Sequence, residues 1–401
     1  MRWDEGSQPA GVSMRQVKSR AFYAFTVVLA TTFLSAPVEA QDSRPSKHFR
    51  SDGQIANRLG YLINKDTVGI ISGNPNGTYL RLAYDMSAVL DDEEKGIRVL
   101  PIIGAGGGGN IKDVRFLKGI DMGITQSVLL NRYKRTNEIG PIDDKIVYIA
   151  KLNNEEMHVV VRTDSGINKL EDLAGKKVNF SDVGSGSQLS NQEIFNRLNI
   201  KVTEVNMGQA DGFEALKRGE IAATILIAGK PTGSTRTLKA ADGFKILPVA
   251  YSKALQDDFL PAVLTHEDYP DLIAKGEKID TVAVSCVLIA YNWDKGTDRY
   301  QRISRFIETF FPRIADFQKP PRHPKWKEAN LAAVVPGWKR HDAAEEWLAN
   351  NRMPAVSNER QQFDAYMTAQ RGPATANSFA PEERERLFED FLKWRQARER
   401  Q

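Results

Sequence analysis

Residues 67–79 read TVGIISGNPNGTY, and this stretch decides the fold class. Residues 67–72 are a compact β-prone run, which predicts a strand, and the turn at residues 73–77 ends it. Apolar residues then recur at helical spacing, at Tyr79, Leu82, Ala83, Met86, Val89 and Leu90. A strand, a loop and a helix in that order predict one unit of an α/β sheet.

The same order repeats downstream of this unit. Residues 97–103 predict a strand that runs into a glycine-rich loop at 104–109. Asn110 is predicted to be the N-cap of the helix that follows, because a short polar side chain can accept the first free helix N–H groups. Residues 122–125 predict a third strand. The alternation of strands and helices predicts a mostly parallel sheet.

A second unit of similar design follows the first. Strands are predicted at residues 157–162, 177–180 and 222–228. Ser185 and Gln188 have the spacing of a capping box. The segment 116–121 contains a helix end, a glycine, an acidic residue and a strand start, and residues 215–220 echo it. Such an echo is what two lobes built on one plan would show.

The last part of the chain predicts a return to the first lobe and then an extension. Residues 281–291 are strongly β-prone and are predicted to cross back, with a packing helix at 303–311. The proline-rich piece 320–324 breaks the periodicity. Residues 319–401 are predicted to form an extension ending in an amphipathic helix, which either straps onto the first lobe or docks a partner.

The N-terminal sequence has the layout of a secretory signal. Basic residues precede an apolar run at 21–36, and small residues follow it up to Ala40. We expect residues 1–40 to be a signal peptide cleaved after Ala40, residues 41–65 to be a lead-in, and the mature protein to be periplasmic. An uncleaved anchor is the alternative, and the start is either Met1 or Met14.

Composition argues against several classes of function. The net charge of +4 is spread over 401 residues without a basic stripe, so nucleic acid is not expected as a partner. The one cysteine, Cys286, cannot form an internal disulfide, and the five scattered histidines suggest no metal site. The glycine run matches the dinucleotide-binding pattern only because any such run satisfies it. Neither a cofactor nor catalysis is expected.

Three loops rich in glycine and hydroxyl residues, at 73–79, 104–110 and 181–187, predict a binding site. In open α/β sheets, ligands bind beyond the carboxyl ends of the strands, where glycine leaves backbone N–H groups accessible and helix N-termini favour anions. The alternative is that these residues only make tight turns. The candidate residues are Asn76, Gly77, Thr78, Tyr79, Gly107, Gly108, Asn110, Gln126, Ser127, Ser185, Gly186, Ser187 and Lys230.

Within this set the expected roles differ. Backbone N–H groups of the glycine-rich loops are expected to hold a carboxylate, and Thr78, Gln126 and Ser187 are expected to add side-chain hydrogen bonds. Lys230 follows a predicted strand whose end faces the cleft. It either meets a second anionic group of the ligand or is a solvated lysine on the rim.

The loops resemble those of the TAXI family of solute receptors, which serve tripartite ATP-independent periplasmic (TRAP) transporters. The resemblance covers residues 66–315. It is carried by residues 71–73 with Gly77-Thr78-Tyr79, by residues 106–110 with Gln126-Ser127, by residues 170–178 and 182–187, and by Gly229 with Pro231.

The resemblance implies an α/β, type II periplasmic-binding-protein fold, with two lobes, a two-segment hinge and a helical C-terminal extension. Lobe I would comprise residues 66–156 and 281–318, and lobe II residues 157–280. It also implies a non-catalytic receptor. Such a receptor would capture a small carboxylate-bearing solute, such as an amino acid or a dicarboxylate, and deliver it to the membrane subunits of a TRAP transporter. A periplasmic sensory module that presents its ligand to a receptor kinase is the alternative.

Three departures from the family pattern leave the solute open. Gly109 replaces an expected hydroxyl residue, Lys230 stands where apolar or aromatic residues are common, and the C-terminal extension is longer than the family needs.

Overall fold

The computed structural model describes residues 47–351 except 76 and 93, together with residues 358–371 and 379–399. The expected signal peptide and the first part of the lead-in lie outside these residues. The strands of the described part are β1 (Thr67–Ile71), β2 (Arg98–Ile102), β3 (Met122–Gln126), β4 (Ile146–Arg162), β5 (Lys177–Asn179), β6 (Thr203–Val205), β7 (Ala223–Ala228), β8 (Phe244–Leu247), β9 (Phe259–Thr265) and β10 (Lys278–Tyr291).

The α-helices of the described part alternate with these strands and then dominate the C-terminal region. They are α1 (Lys47–Lys65), α2 (Thr78–Leu90), α3 (Gly107–Phe116), α4 (Ser127–Thr136), α5 (Gly186–Arg197), α6 (Gln209–Lys217), α7 (Asp298–Phe310), α8 (Ile314–Phe317), α9 (Asp342–Asn350), α10 (Asn358–Arg371) and α11 (Pro381–Glu399). Within the described residues, no helix is both long and apolar enough to cross a membrane.

The two halves of the sheet repeat one plan. In the first half β1 pairs in parallel with β2 and β3, and β3 pairs antiparallel with β10. In the second half β5 pairs in parallel with β6 and β7, and β7 pairs antiparallel with β4. This equivalence explains the sequence echo between residues 116–121 and 215–220.

Two long antiparallel strands join the halves. Strand β4 is 17 residues long and β10 is 14 residues long. The first part of β10 pairs with β9 and its last part pairs with β3. Strand β4 pairs with β10 along its first part and with β7 and β8 along its last part. The chain therefore has the two-lobed type II periplasmic-binding-protein fold, with β4 and β10 as the two hinge segments.

Helices cover both faces of the lobe I sheet because side chains alternate along its strands. Val68 and Ile70 of β1 belong to the apolar cluster of α2 and α7. Ile71 belongs to the cluster that includes α3 and α4. This arrangement leaves the carboxyl ends of the strands, and the loops that follow them, as the accessible edge of the sheet.

The C-terminal extension lies against both lobes. Trp326 is fully buried in the lobe I cluster, and its indole Nε1 donates a hydrogen bond of 3.0 Å to Asp85. Further along, α10 packs against β9, and the side chain of Gln362 donates to the carbonyl of Gln256 at 3.3 Å. The extension was predicted to strap onto the first lobe. Because β9 lies within the segment predicted as lobe II, the extension contacts the second lobe as well. The lobe boundaries themselves stay a prediction.

Candidate functional site

A cavity of about 430 Å³, part of it open to solvent, lies between the two lobes. Lobe I contributes the loops that follow β1 and β2 and the end of β3, and lobe II contributes the loop that follows β5, the start of α6 and the end of β7. This is the edge where α/β sheets bind ligands. Its polar lining includes Asn74, Thr78, Tyr79, Gln126, Glu155, Ser181, Ser185, Ser187 and Gln209.

Three helices begin at this cavity, so N–H groups that have no partner within their helix lie close to it. Thr78, Gly186 and Gln209 are the first residues of α2, α5 and α6, and all three line it. The first turns of α2 and α5 contain no acidic residue. Because a helix N-terminus carries partial positive charge, this part of the wall favours an anionic group.

A buried carboxyl group, that of Glu155, lines another part of the cavity, where it favours a positively charged ligand group. Glu155 of β4 is 2% exposed, and its Oε2 accepts hydrogen bonds from the hydroxyl of Tyr79 at 2.8 Å and from Nε2 of Gln126 at 2.6 Å. Burial raises the pKa of Glu155 to about 8, although both hydrogen bonds favour the charged form. The group is therefore a strong acceptor that a positively charged ligand atom would stabilise as the carboxylate.

Glu155 was not among the residues predicted from the sequence. Four polar residues, 153–156, interrupt a strand that is otherwise mostly apolar. The strand predicted from the sequence covers only residues 157–162, whereas β4 begins at Ile146. The same interruption is the signal that could have identified the site, because polar residues in the middle of a buried strand need a partner.

The lobes touch each other around the cavity. Thr78 Oγ1 donates to the carbonyl of Gly229 at 3.2 Å, and the N–H of Gly109 donates to the carbonyl of Gly184 at 3.1 Å. Gln126 Oε1 accepts a hydrogen bond of 2.5 Å from Ser190 of α5. These contacts bring the loops of the two lobes together over the cavity.

Two predicted glycines serve the contact between the lobes and do not line the cavity. A Cβ atom on Gly107 would lie 2.3 Å from the Cα atom of Gly186, and one on Gly108 would lie 2.3 Å from the side chain of Leu189. Real Cβ atoms do not approach so closely, so a side chain at either position would push the lobes apart.

Asn110 is not a helix N-cap, which corrects the prediction for this residue. Helix α3 begins at Gly107, three residues earlier, after Gly106 with φ of +83°. Asn110 is fully buried, and its Nδ2 donates to the carbonyls of Ser72 at 2.5 Å and Ile124 at 2.7 Å. Its amide thus ties the start of α3 to the end of β1 and to β3. A glycine can adopt the positive φ that starts the helix early.

Seven predicted residues line the cavity: Gly77, Thr78, Tyr79, Gln126, Ser185, Gly186 and Ser187. The hydroxyl of Ser185 accepts from the N–H of Gln188 at 3.1 Å as the N-cap of α5, in line with the predicted spacing. The hydroxyl of Ser187 accepts from the N–H of Ile227 at 2.9 Å. Both hydroxyls are thus engaged within lobe II, and backbone N–H groups are the freer donors.

The other predicted residues lie elsewhere. Asn76 is outside the described residues, and Ser127 lines a different cavity. Lys230 Nζ donates to the carbonyl of Val263 at 2.6 Å and to Asp268 at 2.8 Å, so its charge has a partner within lobe II. Within the described part of the chain, no group of three or more histidine, cysteine or acidic residues could hold a metal ion.

Several solved structures resemble the chain at low identity. One is the periplasmic binding protein BugD, with 13% identity, 72% of this chain and 94% of that chain covered, and a TM-score of 0.43. Another is the substrate-binding protein of an amino acid ABC transporter, with 16% identity, 62% and 93% covered, and a TM-score of 0.36. A third is the amino acid ABC transporter substrate-binding protein AbpA from Streptococcus pneumoniae bound to L-arginine, with 13% identity, 63% and 91% covered, and a TM-score of 0.37.

At these values the similarities carry no argument about the ligand, and the fold rests on the strand order described above. A family model gives a firmer assignment. The model of the NMT1-like family matches residues 70–336, which is more than half of the chain, and the chain therefore belongs to the NMT1-like family.

Proposed function

We propose that this protein is a periplasmic solute-binding receptor that encloses a small amino acid or a closely related zwitterion between its lobes. The single observation that carries the proposal is that one part of the cavity favours an anion and another part favours a cation. Free helix N-termini form one wall and the buried carboxylate of Glu155 forms the other. A solute with both a carboxylate and an ammonium group satisfies both walls.

The carboxylate of the solute is assigned to the loop at 185–187 and the start of α2. Backbone N–H groups at Gly186 and Thr78 are oriented by their helices, and neither helix has an acidic residue in its first turn. Charge-assisted hydrogen bonds from such N–H groups are about twice as strong as neutral ones.

The ammonium group of the solute is assigned to Glu155. A dicarboxylate brings no cation to this buried acid, so it cannot stabilise the ionised form of Glu155 and would add a second group that has to be desolvated there. The proposal therefore favours amino acids over dicarboxylates, both of which the resemblance to the TAXI receptors implied. Tyr79 and Gln126 hold the Glu155 carboxylate in place through the bonds described above.

Delivery to the membrane subunits of a TRAP transporter is part of the proposal. It rests on the resemblance of the three loops and of Gln126-Ser127 to the TAXI receptors. Closing of the lobes on the solute is the motion that such a receptor uses, and ligand favours the closed form through its greater affinity for that form.

Isothermal titration of the purified chain with amino acids, dicarboxylates and simple amines tests the solute class. We expect saturable binding of an amino acid, and we expect Glu155→Gln to weaken it at least about tenfold, or about 1.4 kcal/mol. Glu220→Gln, which alters an exposed acid paired with Arg218, is the matched control and should bind normally. Binding of dicarboxylates without any amino acid would refute the proposal.

Uptake by cells that lack this chain tests the partner. A receptor for a TRAP transporter is required for uptake of the solute identified above. Normal uptake together with the loss of a transcriptional response to the solute would instead assign the chain to a receptor kinase.

A further inference from the structure

A second cavity, of about 480 Å³, lies at the junction of both lobes, the hinge and the extension. Its walls include Ser127 and Asn131 of α4, Lys151 of β4, Ser285 of β10, and residues 257–260 of lobe II. Ser285 and its neighbour Cys286 project from opposite faces of β10, because side chains alternate along a strand. Cys286 lies beside Tyr79 of the first cavity. The second cavity is therefore separate from the first.

Lys151 is the unusual residue of this cavity. It is 6% exposed, and none of the described residues accepts a hydrogen bond from its ammonium group. Burial lowers the pKa of Lys151 to about 8. A buried ammonium without a partner is costly, so native proteins pair such groups.

Two acids that raise the pKa of Lys151 are already engaged with other groups. Glu328 accepts from Lys325 Nζ at 2.7 Å, and Asp364 accepts from Arg384 at 2.8 Å. Both raise the pKa of Lys151 from a distance, and Lys325 opposes them. Within the described residues, Lys151 therefore has no acid as a close partner.

Two acids line the cavity, and one of them is already paired. Asp258 accepts from Asn131 at 2.6 Å and forms an ion pair with Arg197. Asp257 is exposed to solvent.

Donor groups surround the place that Lys151 faces. The hydroxyls of Ser127 and Ser285 are half-buried. Ser127 is also the first residue of α4, a helix of 10 residues with no acid in its first turn. Asn131 lies one turn further along the same face of that helix. A lysine, two hydroxyls and a helix N-terminus form a donor set that suits an oxyanion.

We propose that this second cavity binds a small oxyanion, either a carboxylate or a phosphate. One oxygen of the anion would contact Lys151 Nζ, and its other oxygens would accept hydrogen bonds from the hydroxyls of Ser127 and Ser285. The walls come from both lobes and from the extension, so a bound anion links these parts of the chain. The site is independent of the solute proposed for the first cavity.

Titration of the full chain with inorganic phosphate and with succinate tests the site, using calorimetry at constant ionic strength. We expect saturable binding that Lys151→Met weakens at least tenfold. We also expect phosphate and succinate to bind about tenfold more weakly at pH 9 than at pH 7, because Lys151 loses its proton through a pKa of about 8. Ser285→Ala, which leaves the lysine in place, should weaken binding to a smaller extent.

Control variants separate this site from the first cavity. Lys118→Met removes an exposed lysine of lobe I and should leave the affinity for phosphate unchanged. Glu155→Gln alters the first cavity and should also leave it unchanged. Lys151→Met removes a buried unpaired charge, so it should fold with at least the stability of the parent chain. Equal anion binding by the parent chain and Lys151→Met, or no binding by the parent chain, would overturn the proposal and leave a cavity that holds water alone.

Discussion

The ion pair between Lys325 of the extension and Glu156 of the hinge predicts a large loss of stability when it is broken. The Nζ–Oε1 distance is 2.5 Å, and the side chains are 2% and 4% exposed. Lys325→Met would leave the Glu156 carboxylate buried without its cation. Breaking a buried pair from one side costs about 3–5 kcal/mol. We therefore expect the free energy of unfolding in urea, followed by tryptophan fluorescence, to fall by about that amount at pH 8.

The pH dependence of this loss has a definite sign. Burial raises the pKa of Glu156 even beside Lys325, and removing the cation raises it further. An acid with a raised pKa in the folded state stabilises the fold at low pH and loses that contribution as pH increases. The difference between Lys325→Met and the parent chain should therefore be smaller at pH 5 than at pH 8.

Two further variants make the reasoning testable. Adding Glu156→Gln to Lys325→Met removes the stranded charge and should restore part of the lost stability. Lys295→Met breaks the exposed pair with Glu346, whose distance is 2.7 Å, and should leave stability unchanged. If Lys325→Met were as harmless as Lys295→Met, the pair would not be buried in solution and the argument would fail.

Three other outcomes are expected. Gly107→Ala should weaken solute binding and enlarge the radius of gyration in X-ray scattering, because its Cβ would clash with Gly186 of the facing lobe. Gly233→Ala is the control and should change neither quantity, because its Cβ would have no other atom within 4 Å. Amino-acid affinity should increase between pH 6.5 and 8.5 as Glu155, with a pKa of about 8, loses its proton, and this increase should be absent in Glu155→Gln titrations. Trp326→Phe should lower the thermal midpoint, because it leaves the buried acid Asp85 without its 3.0 Å hydrogen bond from the indole; an unchanged midpoint would mean that water replaces the donor.

The sequence predicted the parts of the fold that local pattern determines. Strand β1 and helix α2 follow from apolar spacing, and the echo between residues 116–121 and 215–220 reflects two halves of the sheet built on the same plan. The length of β4 could not be predicted, because a strand that passes from one lobe to the other alternates between two environments. Its middle carries the polar residues 153–156, which break the apolar pattern.

The loops of the candidate site were predicted from the sequence, but Glu155 was not. Gly186 and Thr78 follow from the rule that ligands bind at helix N-termini beyond strands. Glu155 belongs to a strand, and only tertiary pairing brings it under Gln126. Asn110 shows the reverse error. Its amide resembles a helix cap locally, but its bonds to Ser72 and Ile124 depend on β1 and β3 lying side by side.

The position of β10 has a consequence for folding during synthesis on the ribosome. This strand, residues 278–291, lies between β3 and β4 in the sheet, although it is made more than a hundred residues after them. Until it leaves the ribosome, the first lobe lacks an interior strand and β3 has an unpaired edge. Contacts so distant in sequence also form slowly. The sheet of the first lobe therefore cannot be completed until residue 291, the last residue of β10, has been synthesised.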